Sequence, residues 1–247
     1  MSETKQILPM QPESENSDRF LNYTFHELRT PLTVIYSCAQ LAFDKLPAGT
    51  DFDRLRRIMR QMLDQSEEMV EMLEEFLEAS RLQAGKIELD ATEIEMRELC
   101  QQTLAHLSEA QQQRVELELP SEEGHLILQA DGTRLEATIF ILLDLGLRST
   151  AATTPIKLAL DNQKAGVFAI NVIMPGLVIS EAEQSQMFEV NFIPDNTYSK
   201  LKAGKSGVGL YIARGIMQAH GGTLEYDPAQ TTFQIKLPTD QPAFPST

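Results

Sequence analysis

The run Phe25-His26-Glu27-Leu28-Arg29-Thr30-Pro31-Leu32-Thr33 concentrates the groups in this chain most able to do chemistry. It sets an imidazole beside a carboxylate, with a hydroxyl one helical turn further on. Residues four apart share a helix face, so His26 and Thr30 can act on one object. A carboxylate that accepts a hydrogen bond from one ring nitrogen fixes the tautomer and raises the nucleophilicity of the other. Glu27 is the candidate for that service to His26. Pro31 has no N–H, and its ring crowds the carbonyl of Glu27, so a bend or loosening is expected beside the histidine.

The elements around this run must hold it. Leu21, Phe25, Leu28, Leu32, Ile35 and Ala39 recur at spacings of three and four, which predicts a helix from about Asp18 to Lys45. Leu46-Pro47-Ala48-Gly49-Thr50 has the breaker chemistry of a turn. A second helix is predicted from Asp51 or Asp53 to about Gln83. Leu55, Ile58, Met62, Leu63, Leu73, Phe76 and Leu77 stand among its apolar positions, and Met59, Met62, Met69 and Met72 read as core filler. Its acidic residues, Glu67, Glu68, Glu71, Glu74, Glu75 and Glu78, are expected to face solvent. Two helices joined by a short turn make a hairpin that cannot surround its own apolar stripe. A second copy is the simplest partner, which predicts a homodimeric four-helix bundle. A hairpin packed on the rest of its own chain is the alternative.

The C-terminal half changes character. Residues 86–89 and 115–119 alternate as half-buried strands do, with a helix predicted between them from Glu95 to Ala110. Strands are predicted at 125–129, 156–160 and 167–173, and helices at 134–148 and 206–219. Gly221-Gly222 ends the latter helix. A closing hairpin is expected from 224–226 and 232–237. Helices layered on one face of a mixed sheet make an α+β sandwich.

Composition excludes several classes. The chain has 247 residues, 42% hydrophobic, enough for a real core, and a formal charge of −15. That charge argues against nucleic-acid binding through a basic face. No apolar run approaches the roughly 18 residues of a membrane span, so no membrane insertion is expected. Residues 1–17 are polar and lack a signal-peptide core; they read as a disordered lead. Cys38 and Cys100 lie far apart without metal-like spacing, as buried thiols of a cytoplasmic protein would.

The run around His26 closely resembles the phosphoacceptor box of the two-component sensor histidine kinases. Four further segments resemble that family in the same order. Residues 76–86, Phe-Leu-Glu-Ala-Ser-Arg-Leu-Gln-Ala-Gly-Lys, look like its exit from the second helix. Met187-Phe188-Glu189-Val190-Asn191-Phe192 looks like its phenylalanine box. Ser206-Gly207-Val208-Gly209-Leu210-Tyr211-Ile212-Ala213 looks like its second glycine box, and His220-Gly221-Gly222-Thr223-Leu224 like the segment just beyond that box. The resemblance implies a dimerisation and phosphotransfer hairpin over 18–85, a GHKL-type ATPase-like α+β domain over 86–239, and a tail over 240–247. It implies His26, Glu27 and Thr30 as the reacting set, with Glu27-Leu28-Arg29-Thr30 similar to the family's acid-x-x-Thr phosphatase pattern. It places Arg148, Gly176, Gly207 and Gly209 at the nucleotide.

The same resemblance exposes departures. The two asparagine positions of the family's asparagine box fall on Ile141 and Leu145. The second would help hold the magnesium that bridges the ATP phosphates, and leucine offers no hard oxygen. Arg148 stands where a lysine is usual. The first glycine box reads Met174-Pro175-Gly176-Leu177-Val178, so Met174 replaces the aspartate that receives the adenine amino group. Val178 replaces a glycine that lets backbone approach the nucleotide. A hydrogen bond to a charged group is worth about 1.5–3 kcal/mol, and phosphoryl transfer depends mainly on positioning and charge neutralisation by the metal. ATP-dependent autophosphorylation is therefore expected to be weak or lost, with no tightly bound cofactor and no resident metal. The replacements either fill the former cleft with core or line a new pocket.

The expected function is phosphoryl exchange between His26 and the aspartate of a response-regulator receiver domain, which brings its own magnesium, or dephosphorylation of that regulator through Thr30. An active kinase with unusual nucleotide contacts and a non-enzymatic dimeric interaction module are the alternatives. The lack of a recognisable sensing segment suits a relay or phosphatase component, or a piece of a longer receptor. His106 is expected on a helix surface, His125 in a loop or strand edge, and His220 at a helix C-terminus favoured by the macrodipole. Lys200, Lys202 and Lys205 read as a solvated loop or a remnant of phosphate binding.

Overall fold

The computed structural model describes residues 12–44, 52–120, 126–163, 166–190, 204 and 206–239. The expected turn at 46–50, His125 and the lysines at 200, 202 and 205 lie outside the described residues. Two compact units divide between Leu73 and Glu74.

The first unit is helical. α1 spans Pro12–Asp44 and α2 spans Phe52–Gln83, the latter continuing into the second unit. α1 begins at Pro12 rather than near Asp18, inside the segment expected to be disordered. Proline suits a first helical turn, where its missing N–H has no intrahelical partner to lose. α1 also stays helical across Pro31, so the loosening expected there does not interrupt the element. Phe20, Cys38, Ile58 and Met72 are buried, while Leu21, Phe25, Leu32, Tyr36, Met59, Leu63, Val70 and Leu73 are at least 48% exposed. The hairpin leaves most of its apolar stripe uncovered.

The second unit is an α+β domain. β1 (Thr92–Glu95) pairs antiparallel with β3 (Ile127–Ala130) in a two-stranded ribbon. The main sheet holds β2 (Val115–Glu118), β4 (Ile156–Gln163), β5 (Val167–Ile173), β7 (Thr232–Pro238) and β6 (Thr223–Asp227), in that spatial order. β2 and β4 run parallel and the other pairs antiparallel, so the sheet is mixed. Ile156, Leu158, Leu160, Ile170, Val172, Phe233, Ile235 and Leu237 form its buried side chains. α5 (Gly132–Ser149) packs on α3 (Met96–Ala105) and α7 (Gly209–Ala219); α5 and α7 also lie against this sheet, at β4 and β6, and α3 against β1. Arg114 ties down the end of α5 by donating to the carbonyls of Leu147 and Ala151 and to the Thr150 hydroxyl.

Local expectations are corrected at four places. Residues 86–89 are not a strand. The pairing partner goes to β1 instead, and Ile87 and Leu89 are merely half-buried. The helix expected over 95–110 is two, α3 and the short α4 (Glu109–Gln112), because Ser108 and Gln111 form a capping box that starts a new helix. The short helix α6 (Glu181–Gln186) was not expected, and it starts with the same device, Ser180 with Glu183. α7 begins at Gly209 rather than Ser206, since Gly207 takes φ +88°, outside the right-handed helical range.

Candidate functional site

The helical face of α1 presents the first set of groups. The His26 side chain is 80% exposed, and its Nδ1 lies 3.9 Å from Glu27 Oε1. That spacing is beyond a hydrogen bond, so the expected bond from His26 to Glu27 is not made here. Adjacent helical residues do not face each other, and the carboxylate reaches the ring only from the side. The contact is an ion pair when the imidazole is protonated. Thr30, one turn on, is exposed. Thr24 and Thr33 spend their hydroxyls on the carbonyls four residues back, at 2.9 and 2.7 Å. Among the described residues Thr30 makes no such bond.

The second set lies where α5 meets β5. Leu145 and Met174 are fully buried, and Ile141 is half-buried. Gly146 makes room for this arrangement. A Cβ added to it would lie 2.9 Å from Ile156 Cδ1, 3.1 Å from Met174 Cγ and 3.2 Å from Met174 Sδ. The methionine thioether thus packs against bare helix backbone. Val178 is 79% exposed, and Gly176 takes φ +83° in the turn between them. Arg148 is held by Asp144, with Nε and Nη2 at 3.0 and 2.6 Å from Oδ2, and its Nη2 reaches the Gly204 carbonyl at 3.4 Å. Arg148 thereby neighbours Gly204, which precedes the Ser206–Gly209 run in the chain. Leu145 and Met174 are packed core, whereas Gly176 is exposed, with nothing within 4 Å of where a Cβ would stand.

The last turns of α2 carry groups that periodicity alone had assigned to solvent. Glu75 accepts the N–H of Ser206 at 2.8 Å and also its hydroxyl. Glu78 pairs with Arg134 and, at 3.6 Å, with Arg81. Leu82 lies so close to α7 that a Cβ on Gly215 would fall 2.6 Å from it. Helical spacing reports which face a residue shares, not what packs on that face, and these partners come from far along the chain.

Arg134 leads into a buried polar junction. Its Nε is 3.3 Å from Asp131 Oδ2, and Asp131 caps α5 by accepting the Arg134 N–H. The same carboxylate accepts the N–H of Asp90. The Asp131 N–H donates to Nε2 of His220 at 3.0 Å, and His220 Nδ1 sits 2.8 Å from the Ile216 carbonyl. His220 is therefore a neutral imidazole with its proton on Nδ1. Burial, the largest influence, pushes its pKa below the usual value, and Arg134 adds to that, against the Ile216 bond and Asp131. The place of His220 at the C-terminus of α7 is the one expected, but a neutral ring draws nothing from the macrodipole. The observed ring is 1% exposed and ties the end of α7 to the N-cap of α5. His106, just past α3, places Nδ1 3.2 Å from Glu136. Cys38 and Cys100 are free and buried, and burial followed by Glu95 pushes the Cys100 thiol up to about 12.

Two family models match this chain. Residues 16–85 match the His Kinase A (phospho-acceptor) domain, and residues 130–241 match the histidine kinase-, DNA gyrase B- and HSP90-like ATPase domain. The chain belongs to the histidine kinase family. Sensor histidine kinase YcbM of Bacillus subtilis is 27% identical over 229 residues, covering 90% of this chain and 72% of that protein. The probable sensor histidine kinase TcrY of Mycobacterium tuberculosis is 29% identical over 226 residues, with 90% of this chain and 46% of that protein. The chain thus spans less than half of some curated relatives. Among solved structures, histidine kinase AdeS of Acinetobacter baumannii aligns with TM-score 0.65 at 20% identity, over 87% of this chain and 98% of that one. Histidine kinase ThkA, solved in complex with response regulator protein TrrA, aligns with TM-score 0.62 at 19% identity, over 96% and 68%. Both share the fold. This histidine kinase family member carries the two-component signalling architecture of a helical hairpin followed by an ATPase-like domain. Among the described residues, no helix is long and apolar enough to cross a membrane.

Proposed function

We propose that this histidine kinase family member exchanges phosphoryl groups with a response-regulator receiver domain through His26, and that its ATP-dependent autophosphorylation is weak or lost. The observation that carries the first half is the 80% exposed imidazole, with Nδ1 turned to Glu27. Nε2 is then the nitrogen offered to an incoming aspartyl phosphate. The bond from Nε2 to phosphorus forms as the aspartate oxygen leaves, and Glu27 supports the positive charge on the ring. The regulator supplies the phosphoryl group and its magnesium, so no step draws on a nucleotide.

The second half rests on Leu145 and Met174. The family's nucleotide is held with a metal, and the residues at these positions do not fit it. Leu145 gives a metal no oxygen and Met174 gives the adenine amino group no carboxylate. Both are fully buried, with the thioether against Gly146. A filled wall explains them better than a new ligand pocket.

A second reading has its own support. The Thr30 hydroxyl is uncommitted among the described residues while its neighbours at 24 and 33 are bonded to carbonyls. It is available to orient a water towards the regulator's aspartyl phosphate, making the protein a phosphatase. The exposed apolar stripe of α1 and α2 supports a homodimeric four-helix bundle, and two buried free thiols suit a cytoplasmic setting.

The test incubates the protein with labelled ATP and, separately, with a labelled phospho-receiver domain, using His26→Ala and Thr30→Ala. His26-dependent gain of label from the receiver, without label from ATP, is the expected result. Label on His26 from ATP restores an ordinary kinase. Loss of receiver label that needs Thr30 but not His26 selects the phosphatase. No movement in either assay with a cognate receiver leaves an interaction module.

A further inference from the structure

An open cavity of about 430 Å³ lies between α7, the end of α6 and the edge strand β6. Its apolar walls are Met187, Phe188, Leu224 and Tyr226. Met187 and Leu224 are buried. Both aromatic rings are braced on the fully buried Phe233, Phe188 edge-on at 6.4 Å between centroids and Tyr226 tilted at 4.8 Å. The core therefore sets the shape of this cleft, as it does for a preformed ligand pocket. One charged group stands at the cleft without a partner. Arg214, half-buried on α7, places its guanidinium carbon 5.4 Å from the centre of the Phe188 ring. Among the described residues that guanidinium makes no hydrogen bond and no ion pair. The chain has 36 acidic residues against 21 basic ones, so a guanidinium that has found no carboxylate is out of the ordinary here. Stacking on the ring occupies one face of the group and leaves its fork of N–H donors free in the plane. Gln218, four residues on, shares that helix face and brings an amide to the same cavity.

A second cavity, also of about 430 Å³, shares Phe188, Arg214 and Gln218 and lies on the side of Gly85. It suits an anion less. Glu189 lines it, and burial followed by the Glu189 charge pushes the Tyr211 hydroxyl above its usual value. At the first cavity the lining carboxylate is Glu225, and Lys236 matches its charge at 3.1 Å.

We infer that the cleft between α7, the end of α6 and β6 is a binding site for a small aromatic carboxylate. The carboxylate takes the free fork of Arg214 as a bidentate pair, and the Gln218 amide donates to it from the next turn. The ring of the ligand lies against Phe188, Leu224 and Tyr226, where its apolar surface leaves water. The site draws on neither a nucleotide nor the chemistry of His26.

The test titrates the full chain with cinnamate, with its neutral amide and with acetate, at matched ionic strength, and follows backbone amide shifts by NMR. Cinnamate is expected to shift Met187, Phe188, Gln218 and Leu224, and to bind at least tenfold more tightly than either the amide or acetate. Arg214→Gln is expected to weaken cinnamate binding at least tenfold. Arg214→Lys keeps the charge without the fork and is expected to lose less. Thr223→Phe fills the cavity from an exposed strand position and is expected to abolish binding, which carries the test if Arg214→Gln folds poorly. The amide or acetate binding as tightly as cinnamate, an affinity unchanged in Arg214→Gln or in Thr223→Phe, shifts confined to Gly85 and Tyr211 around the second cavity, or binding by none of the probes each overturns the proposal.

Discussion

On α1 the groups with chemistry stand in solvent, whereas at the junction of α5 and β5 the corresponding positions have become core. His26 is 80% exposed and Thr30 is open, while Leu145 and Met174 have no exposed surface. A reacting group on a helix surface needs only its own turn and a visiting partner. A nucleotide site needs several elements to converge on one volume and leave it empty. The first arrangement survives changes elsewhere in the chain. The second ends once a residue such as Met174 claims the space, and Gly146 shows the neighbouring helix yielding room for it.

The largest effect that sharpens this contrast is at His26. His26→Ala is expected to abolish phosphoryl gain from a receiver domain while leaving thermal stability unchanged, since an exposed helical position tolerates alanine. A variant that unfolds, or that keeps full transfer, breaks the contrast at its exposed end.

At the buried end, restoring the family's polar residues should cost stability instead of returning activity. Leu145→Asn and Met174→Asp each remove packed apolar volume and bury a polar group without a ready partner. Each is expected to destabilise by about 3–5 kcal/mol in denaturant unfolding, with no new labelling from ATP. A cost below about 1 kcal/mol would mean that the wall is soft enough to reopen. Gly146→Ala tests the same packing by its sign. Helix propensity favours alanine by about 1 kcal/mol, and crowding of Met174 and Ile156 offsets that by about 1–3 kcal/mol. In a Met174→Ala background the contacts at 3.1 and 3.2 Å disappear while Ile156 Cδ1 at 2.9 Å remains, so the same substitution becomes less costly. Equal effects in the two backgrounds would show that Gly146 and Met174 do not interact.

Legibility in the sequence divides along the same line. The helices, the mixed sheet and the His26 run rest on local pattern, and local pattern placed them. Residues 86–89 and 92–95 both suit a strand, and only the availability of β3 decides between them. The break at Ser108 and the helix after Ser180 were written in capping boxes, Ser108 with Gln111 and Ser180 with Glu183, that periodicity overrode. Glu75, Glu78 and His220 were misread because their meaning lies in partners distant in sequence: Ser206, Arg134 and Asp131. Nothing in the spacing of an acidic helix announces which carboxylate finds a buried donor.

His220 provides a pH test of that third kind of residue. Its folded pKa is depressed by burial below the ordinary value of 6.5. Between the two values the unfolded chain binds more protons than the folded one, so stability rises with pH there. The contribution is complete above about pH 6.5 and is lost as pH falls through the folded pKa, with a slope of at most about 1.4 kcal/mol per pH unit from this group. His220→Gln is expected to cost about 1–3 kcal/mol at pH 7.5 by disturbing the Asp131 and Ile216 bonds. It should also flatten the slope below pH 6.5. A variant with an unchanged slope would show that another group carries the acid sensitivity.

The smallest effect is expected at Arg148, which separates a surface cation from a structural one. Its partner Asp144 is four residues earlier on α5, an exposed helical pair worth about 0.3–0.5 kcal/mol. Its place in the last turn of α5 also suits the helix dipole, by about 0.3–1 kcal/mol. Arg148→Ala should therefore cost about 1 kcal/mol or less, and less again at high salt, where both interactions are screened. Its bond to the Gly204 carbonyl is long and exposed and adds little to that sum. A salt-independent loss well above about 1.5 kcal/mol would place Arg148 with the buried junction around Asp131 and Arg134. A small, salt-sensitive loss marks it as a surface cation whose pair with Asp144 contributes little to the fold.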